Sequence, residues 1–194
     1  MIIYGTGGHS KVLFSILEKD VSHFFDDKSN DVDFYGIKIS RYDPQLFSKD
    51  KLLIGVGNNK LRLGLSGTIK HEFGTVVEKS SVIHKDIMIG KGTQLLHNSV
   101  VQIESQIGSH VIINTNANID HDCEIGDFVH VAPGCTLCGN VSIGKGTLIG
   151  AGSVVLPGVT IGDWCTIGAG SLVNNDVPSN CLGYGNPFRI IQKT

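Results

Sequence analysis

The 194-residue sequence contains no long apolar run and no run of like charges. No apolar stretch approaches the roughly 18 to 20 residues of a membrane-spanning helix, so membrane insertion is not expected. Only 18% of the residues are charged and the net charge is −2, which argues against a nucleic-acid partner. The N-terminus lacks the basic region and the apolar length of a signal peptide, so we expect a cytoplasmic protein.

Cysteine is scarce as well, and its count is odd. The five cysteines suggest reduced thiols rather than a disulfide framework: Cys123, Cys135, Cys138, Cys165 and Cys181. Cys135 and Cys138 form a CxxC, but a zinc site would need a second pair and a thioredoxin-like motif would need a strand-to-helix turn. We therefore expect these thiols to fill a core, and we predict no metal.

A repeat of six residues begins at Val77. Every sixth position from Val77 to Val173 is Val, Ile or Leu, and the residue two positions earlier is always small or β-branched. A period of six does not fit a helix of 3.6 residues per turn, and β-branched residues favour strands. Two inward positions and a turn softened by glycine in each repeat predict three-sided coils of about 18 residues, stacked through backbone hydrogen bonds.

The first 74 residues lack this repeat and alternate strands with helices. The predicted strands are Met1–Tyr4, Val21–Phe25 and Lys51–Val56. The apolar faces of two predicted helices are Val12, Leu13, Ile16 and Leu17 in the first, and Leu61, Leu65 and Ile69 in the second. This alternation predicts a small parallel α/β domain over residues 1–74, a β-helix over 75–178 and a C-terminal tail over 179–194.

Three glycines, Gly5, Gly7 and Gly8, lie at the turn after the first predicted strand. Glycines at such a turn let a phosphate approach the backbone N–H groups of a helix N-terminus. The dinucleotide fingerprint GxGxxG is incomplete, because Ser10 stands where its third glycine would be. An acid about 20 residues further on can meet a ribose hydroxyl, and Asp26 or Asp27 is placed for that role.

The combination of the two parts resembles the hexapeptide-repeat acetyltransferases of the sialic-acid O-acetyltransferase-like (NeuD/PglD) family, in particular its nucleotide-aminosugar N-acetyltransferases. The shared motifs are YGTGGHSK at 4–11, the acidic pair at 26–27, IGVGNN at 54–59, IDHDCEIGDFVHVAPG at 119–134 and GYGNP at 183–187. The resemblance implies a left-handed parallel β-helix and a homotrimer with active sites between subunits. It also implies acetyl transfer from acetyl-CoA to the 4-amino group of a UDP-linked 4-amino-4,6-dideoxysugar, for bacterial surface glycan or glycoprotein synthesis.

The resemblance also implies roles for individual residues. His121 corresponds to the general base, and Asp122 to the acid that orients it. A family member has glutamate at that second position, so Asp120 or an acid from another chain is an alternative to the shorter Asp122. Residues that correspond to acetyl-CoA contacts are His130, Gly139, Ala151 and Ala169, with the Gly139 N–H facing the thioester oxygen. Residues that correspond to contacts with the nucleotide sugar are His9, Ser10, Lys11, Asp26, Asp27, Gly57, Asn58 and Asn59.

The length of the coil bears on these roles. His121 and Gly139 are 18 residues apart, so they should stack about 4.8 Å apart, close enough to share one reacting carbonyl. Ala151 and Ala169 also differ by 18 and should form a column of small residues for the pantetheine arm. His130 lies half a coil from His121, roughly 15 Å within one chain. We therefore expect His121 and His130 of one site to come from different subunits.

Three other functions fit parts of the pattern. The first is O-acetylation of sialic acid or another hydroxyl acceptor with the same base. The second is a γ-type carbonic anhydrase, a metalloenzyme on the same β-helix with histidine ligands from two chains. The third is a non-catalytic assembly module. Three more histidines, His84, His97 and His110, are expected to be surface or packing residues.

Overall fold

The computed structural model describes residues 1–193, so Thr194, the last residue of the predicted tail, lies outside the described residues. The chain divides into two compact units, Met1–Thr75 and a second one that begins at Val76. Within the described residues no helix has the length and apolar character needed to cross a bilayer.

The first unit contains a five-stranded sheet and two helices. Its elements are β1 (Ile2–Tyr4), α1 (Gly8–Leu17), a 3-10 turn (Glu18–Asp20), β2 (His23–Phe25), β3 (Asp33–Phe34), β4 (Ile37–Ser40), β5 (Leu52–Ile54) and α2 (Asn59–Thr68). The strand order is β3-β4-β2-β1-β5, and only the β3–β4 pair is antiparallel. The three strands predicted from the sequence are present and shorter than expected, whereas β3 and β4 were missed.

The three central strands are buried along their whole length, which is typical of parallel strands covered on both faces. Every residue of β1, β2 and β5 is buried. The chain leaves β1 for β2 on one side and later returns to β5 on the other side of β1. The carboxyl ends of β1 and β5 therefore flank a topological switch point, where ligands of open α/β sheets bind.

The inward face of α2 differs from the prediction. Leu61 is 57% exposed, and the buried residues of the helix are Asn59 and Arg62. Ile69 is buried, but it lies at the C-cap, after the last helical residue. The expected apolar face is therefore wrong for the first turn of α2, where two polar side chains point inward.

The second unit is a three-sided prism of two-residue strands. The strands are β6 (Val76–Val77), β7 (Val82–Ile83), β8 (Met88–Ile89), β9 (Gln94–Leu95), β10 (Val100–Val101), β11 (Gln106–Ile107), β12 (Ile112–Ile113), β13 (Asn118–Ile119), β14 (Glu124–Ile125), β15 (His130–Val131), β16 (Thr136–Leu137), β17 (Ser142–Ile143), β18 (Leu148–Ile149), β19 (Val154–Val155), β20 (Thr160–Ile161), β21 (Thr166–Ile167) and β22 (Leu172–Val173). Each strand ends at one of the repeated aliphatic positions. Strands pair in parallel with a shift of 18 residues, as in Val100 with Asn118, so the predicted coil is confirmed.

The strands form three sides. Side 1 contains β7, β10, β13, β16, β19 and β22, side 2 contains β8, β11, β14, β17 and β20, and side 3 contains β6, β9, β12, β15, β18 and β21. From Thr93 to Val173, both inward positions of every repeat are buried and together form the core. The core is thus a column of small and aliphatic side chains with a repeat of one coil.

The glycines that follow the aliphatic positions do not soften the turns, contrary to the expectation from the sequence. Positive φ angles occur two residues later, at a series of positions from Gly92 to Gly170 that includes non-glycine residues such as Asn116. The earlier glycines instead stack one coil apart. A Cβ on Gly90 or Gly144 would lie 2.5 Å from the backbone of the next coil. These glycines are therefore required because two coils approach each other closely.

The predicted C-terminal tail is wrong for most of its length. A strand β23 (Cys181–Tyr184) pairs in parallel with β21 and extends side 3, and β24 (Arg189–Lys193) pairs with β23 in antiparallel orientation. The prism therefore ends in a hairpin.

Candidate active site

His121 lies at the corner between sides 1 and 2. Its Nδ1 is 2.7 Å from Oδ2 of Asp122, and its backbone N–H donates to Oδ1 of Asp120 at 2.9 Å. Asp122 has a φ of 58°, a conformation that aspartate tolerates better than most residues. Because a carboxylate can only accept, this contact places the imidazole proton on Nδ1. Among residues 1–193 no group hydrogen-bonds to Nε2, so its lone pair remains available.

Gly139 lies one coil after His121, and the two residues are in contact. The N–H of Asn140 donates to the His121 carbonyl at 3.0 Å. A Cβ on Gly139 would lie 2.5 Å from Cε1 and 2.6 Å from Nε2 of the imidazole. Only glycine at position 139 therefore lets the ring lie where it does.

The backbone N–H of Gly139 differs from equivalent corner groups. The N–H of Ser109 donates to Oδ1 of Asp127, one coil further on, at 2.7 Å, and the same arrangement recurs two coils later. Pro157 stands one coil after Gly139 and has no side-chain acceptor. The Gly139 N–H has no acceptor within the described part of the chain. It is therefore available to stabilise an oxyanion.

These groups face an open groove of about 490 Å³. Its lining consists of Asp120, His121, Cys138, Gly139, Asn140, Pro157 and Gly158. Cys138 is half-buried at this groove, whereas the other four cysteines are buried. The expectation that all the thiols fill a core is therefore wrong for Cys138.

Three carboxylates surround the imidazole. The hydrogen bond to Asp122 raises the pKa of His121, and the charges of Asp120, Asp122 and Glu104 act in the same direction. The same hydrogen bond lowers the pKa of Asp122. Glu104 precedes Asp122 by 18 residues, so it stands one coil before it. The corner therefore presents a negative field to any group that approaches His121.

The other predicted acetyl-CoA contacts lie elsewhere on the prism. His130 is on side 3, where its Nε2 is 3.0 Å from Nδ2 of Asn114. Ala151 and Ala169 are exposed in one column at the corner between sides 3 and 1. Of the four predicted contacts, one chain brings only Gly139 to His121.

The first unit contains a cavity of about 430 Å³ at the carboxyl ends of β1 and β5. Its lining consists of Tyr4, Gly5, Thr6, Gly7, Gly8, His9, Asp26, Asp27, Lys28, Gly55, Val56, Gly57, Leu61 and Leu65. The N-cap of α1 is Gly7, which offers no side-chain acceptor. The first N–H groups of α1 therefore remain open to an anion.

Four of the predicted substrate contacts line this cavity: His9, Asp26, Asp27 and Gly57. The other four do not. Ser10 is buried and its hydroxyl donates to the Gly55 carbonyl at 3.0 Å, and Lys11 is exposed on α1. Asn58 caps α2 by accepting from the Leu61 N–H at 3.0 Å, and Asn59 is buried and accepts from Arg62.

The cavity also has walls that the sequence analysis missed. Tyr4 and Thr6 belong to the motif that we singled out for its glycines, and Lys28 follows the acidic pair directly. Leu61 was assigned to the core because helical periodicity cannot distinguish a core from a cavity wall. The motif positions of Tyr4 and Thr6 were the only available signals.

The two acids after β2 are both hydrogen-bonded, but to different extents. Oδ2 of Asp26 accepts from the N–H and the hydroxyl of Thr6 at 2.9 and 2.7 Å, and Oδ1 accepts from the N–H groups of Lys28 and Ser29 at 2.9 and 3.1 Å. Burial raises the pKa of Asp26, but these bonds outweigh burial and hold the pKa below its usual range.

Asp27 makes fewer bonds. Oδ2 accepts from the Tyr4 hydroxyl at 2.6 Å and Oδ1 from the Tyr42 N–H at 2.8 Å. Burial raises the pKa of Tyr4, and the Asp27 bond adds to the effect, so Tyr4 stays a donor. Since a carboxylate can accept about four hydrogen bonds, Asp27 retains capacity that Asp26 does not.

Comparison with known proteins identifies the family. Two family models match: the PglD N-terminal domain over residues 1–68, and the bacterial transferase hexapeptide (six repeats) over residues 104–139 and 140–175. Perosamine N-acetyltransferase from Caulobacter crescentus, solved with CoA and GDP-perosamine, is 32% identical, with 98% of this chain and 96% of that chain covered and a TM-score of 0.92. The chain belongs to the NeuD/PglD family of hexapeptide-repeat acetyltransferases.

Other members of the family are also similar over the whole chain. The acetyltransferase domain of PglB from Neisseria gonorrhoeae, solved with acetyl coenzyme A, is 27% identical with 98% of each chain covered and a TM-score of 0.89. WeeI from Acinetobacter baumannii is 25% identical with the same coverage and a TM-score of 0.82. Among curated protein sequences, none matches this chain. The predicted family and fold class, an α/β domain followed by a left-handed parallel β-helix, are confirmed.

Proposed function

We propose that this chain transfers the acetyl group of acetyl-CoA to the 4-amino group of a nucleotide-linked 4-amino-4,6-dideoxysugar. The observation that supports it most directly is the corner at His121, where an imidazole with one open nitrogen lies against an N–H with no acceptor. Such a pair can hold a general base and an oxyanion donor on the same reacting carbonyl. The relatives solved with CoA, acetyl coenzyme A and GDP-perosamine support the same substrates.

The proposed mechanism is direct transfer without an acyl-enzyme. Neutral His121 takes a proton from the sugar amine at Nε2, and the amine nitrogen attacks the thioester carbon. The Gly139 N–H stabilises the negative charge that develops on the carbonyl oxygen. The carbon–sulfur bond then breaks, and the CoA thiolate receives the proton from the imidazolium. Asp122 holds the proton on Nδ1 and stabilises the imidazolium in between.

The charges at the corner favour an amine over a hydroxyl acceptor. An amino sugar arrives as an ammonium, which Asp120, Asp122 and Glu104 attract electrostatically. A neutral hydroxyl gains no such attraction. The same field keeps His121 basic enough to accept the proton. This is our physical reason for placing N-acetylation above O-acetylation of sialic acid or another hydroxyl acceptor.

We further propose that the site is completed by a second subunit of a homotrimer. His121 and Gly139 lie at one corner, whereas His130, Ala151 and Ala169 lie on another side and corner of the same prism. If acetyl-CoA contacts both sets, they must belong to different chains. Mixing His121→Ala and His130→Ala proteins should then restore wild-type pairs at about one quarter of the sites in hybrid trimers. Activity no higher than that of either variant alone would contradict the shared site.

The cavity in the first unit is the proposed site of the nucleotide. The open N-terminus of α1 would hold the phosphates, and Asp27, which has free acceptor capacity, would accept from a ribose hydroxyl. The side chains of Ser10 and Asn59 would support the walls rather than touch the ligand. Our sequence-based expectation is a UDP carrier. The GDP-perosamine bound by a 32% identical relative makes GDP the second candidate.

A panel of acceptors tests the function. Purified protein, acetyl-CoA and a thiol reagent would be combined with UDP- and GDP-linked 4-amino-4,6-dideoxyhexoses, with their 4-hydroxy counterparts and with sialic acid. We expect thiol release with a 4-amino sugar and at most about 1% of that rate with its 4-hydroxy counterpart, a discrimination typical of sites built for one polar group. Release with hydroxyl acceptors alone would show an O-acetyltransferase.

A further inference from the structure

Arg62 is fully buried in the first unit, on a helix where Leu61 is largely exposed. Asn59 and Arg62 are three residues apart, so they lie on the same face of α2. Burial of a guanidinium is unfavourable unless hydrogen bonds compensate for the lost water, whereas a leucine at the same position would be stabilising. Packing therefore does not explain why an arginine stands here.

The contacts of Arg62 point to the cavity wall. Its Nη1 donates to the carbonyls of Val56 and Gly57 at 3.2 and 3.0 Å, and its Nη2 donates to Oδ1 of Asn59 at 3.0 Å. Val56 and Gly57 form the turn between β5 and α2, and both line the cavity. Burial lowers the pKa of Arg62 to about 10, so the side chain is a cation at neutral pH.

The orientation of these two carbonyls fixes two N–H groups. In a planar trans peptide the N–H points away from the carbonyl of the preceding residue. Because the carbonyls of Val56 and Gly57 point to Arg62, the N–H groups of Gly57 and Asn58 point to the opposite side. Neither N–H has an acceptor within residues 1–193. Successive open N–H groups at a helix N-terminus form an anion-binding concavity.

We infer that Arg62 is a positioning residue for nucleotide recognition, which holds the Gly57-Asn58 turn with its N–H groups toward the cavity and places a positive charge behind it. The ligand class is a diphosphate. The turn after β1, at the open N-terminus of α1, is the neighbouring wall, because Tyr4 and Ile54 are paired in register. A diphosphate between the two turns would meet N–H groups from both. The inference rests on the proposed nucleotide-linked substrate and assigns its phosphate recognition.

Two substitutions separate charge from geometry. Arg62→Gln keeps a side-chain donor and removes the charge, and Arg62→Lys keeps the charge and loses the paired hydrogen bonds. Binding of UDP, GDP, uridine and guanosine to the full-length proteins would be measured by NMR titration. We expect Arg62→Gln to weaken the better-bound diphosphate about tenfold or more and to change the binding of its nucleoside less than about twofold, with Arg62→Lys between it and the wild type.

The kinetic readout is a split between substrates. In Arg62→Gln the KM for the nucleotide sugar should rise by the same factor, while kcat and the KM for acetyl-CoA stay within about twofold. The control is Arg41→Gln, which removes an exposed positive charge from the same unit. Equal weakening of nucleoside and diphosphate would reduce Arg62 to a merely structural residue, and unchanged diphosphate binding would also overturn the inference.

The wild-type protein provides a test that does not need a variant. Titration with pyrophosphate should shift the amide resonances of Gly57 and Asn58, and no shift at either would overturn the inference even if Arg62→Gln fails to fold. If the wild type binds neither UDP nor GDP but these amides respond to pyrophosphate, the proposed nucleotide is wrong and the anion-binding turn is right.

Discussion

The two units of the chain hold their candidate site residues in place by different means. In the β-helix, residues 18 apart stack, so distance along the sequence alone brings Gly139 under the His121 ring. In the α/β unit no such rule applies. Its cavity joins residues that follow three separate strands, and hydrogen bonds such as that of Tyr4 to Asp27 connect them. Substitutions at the β-helix corner should therefore change catalysis without unfolding it, whereas those in the α/β unit should change binding and local stability together.

The largest expected effect tests the catalytic half of this comparison. His121→Ala should lower kcat by about 10²- to 10⁴-fold, the usual contribution of a general base. Its melting temperature should stay the same, because the side chain is 54% exposed and packs into no core. His97→Ala, at another corner of the same prism, is the matched control and should be as active as the wild type. Retention of most activity by His121→Ala would remove the proposed base.

Gly139→Ala comes next and tests the rule of stacking itself. The added methyl would lie 2.5 Å from the imidazole, so the ring must move. A displacement of about 1 Å at a reacting group lowers the rate on the order of 10²-fold. We expect kcat to fall by this amount, with the KM for the nucleotide sugar unchanged. Gly67→Ala, where a Cβ meets nothing within 4 Å, is the control. Wild-type kinetics in Gly139→Ala would show that the stacked position is unimportant.

The third expected effect is a pH shift. The Asp122 bond raises the pKa of His121, so in the wild type kcat/KM should fall as the pH drops through a value above the usual one for histidine. Asp122→Asn should move this fall to lower pH, because the imidazole loses its anionic partner. It should also lower the plateau of kcat/KM by about tenfold or more, since the tautomer is no longer fixed.

A matched pair elsewhere in the prism controls for general effects of charge. His84 and Asp86 form a similar histidine–acid pair, with Nδ1 and Oδ2 3.8 Å apart. Asp86→Asn should leave the pH profile unchanged. If both substitutions shift the profile equally, the effect would come from the net charge of the prism and not from the contact between Asp122 and His121.

The same difference between the units decides what the sequence could predict. The period of six predicted all seventeen two-residue strands and the contact of His121 with Gly139, because repetition converts sequence distance directly into position. It did not predict which corner residues have positive φ, since residues such as Asn116 and Phe128 adopt it alongside glycines. It also did not predict that Asp122 reaches Nδ1, because that contact depends on the backbone conformation at the corner.

The α/β unit was predicted less completely because its neighbours are distant in sequence. The hairpin of β3 and β4 was missed, although its turn, Tyr35-Gly36, has positive φ at both residues, as a two-residue hairpin turn requires. The burial of Arg62 was missed because periodicity assumes that the inside of a helix is an apolar core. Here the leucines line a cavity, so the polar face points inward. Only the positions of other strands could show this.

The smallest expected effect on the rate lies in the α/β unit and completes the comparison. Four donors bind the two oxygens of Asp26, and an asparagine amide can accept at only one of its two polar atoms. Asp26→Asn should therefore reduce the stability of the first unit by about 1 to 3 kcal/mol and leave kcat within about twofold. Hydrogen exchange at β1 and β2 would report the loss. Asp31→Asn, at an exposed acid of the same unit, should show none.

The pH dependence of that loss follows from the sign of the shift. The pKa of Asp26 is lowered in the folded state, so its stabilising effect is present above the ordinary pKa of aspartate and is lost as the pH falls through the lowered value. The difference in protection between the wild type and Asp26→Asn should thus be largest at neutral pH and should shrink in acid. A difference that is independent of pH would mean that the substitution acts through shape, and that the ionised carboxylate does not hold the Thr6 turn.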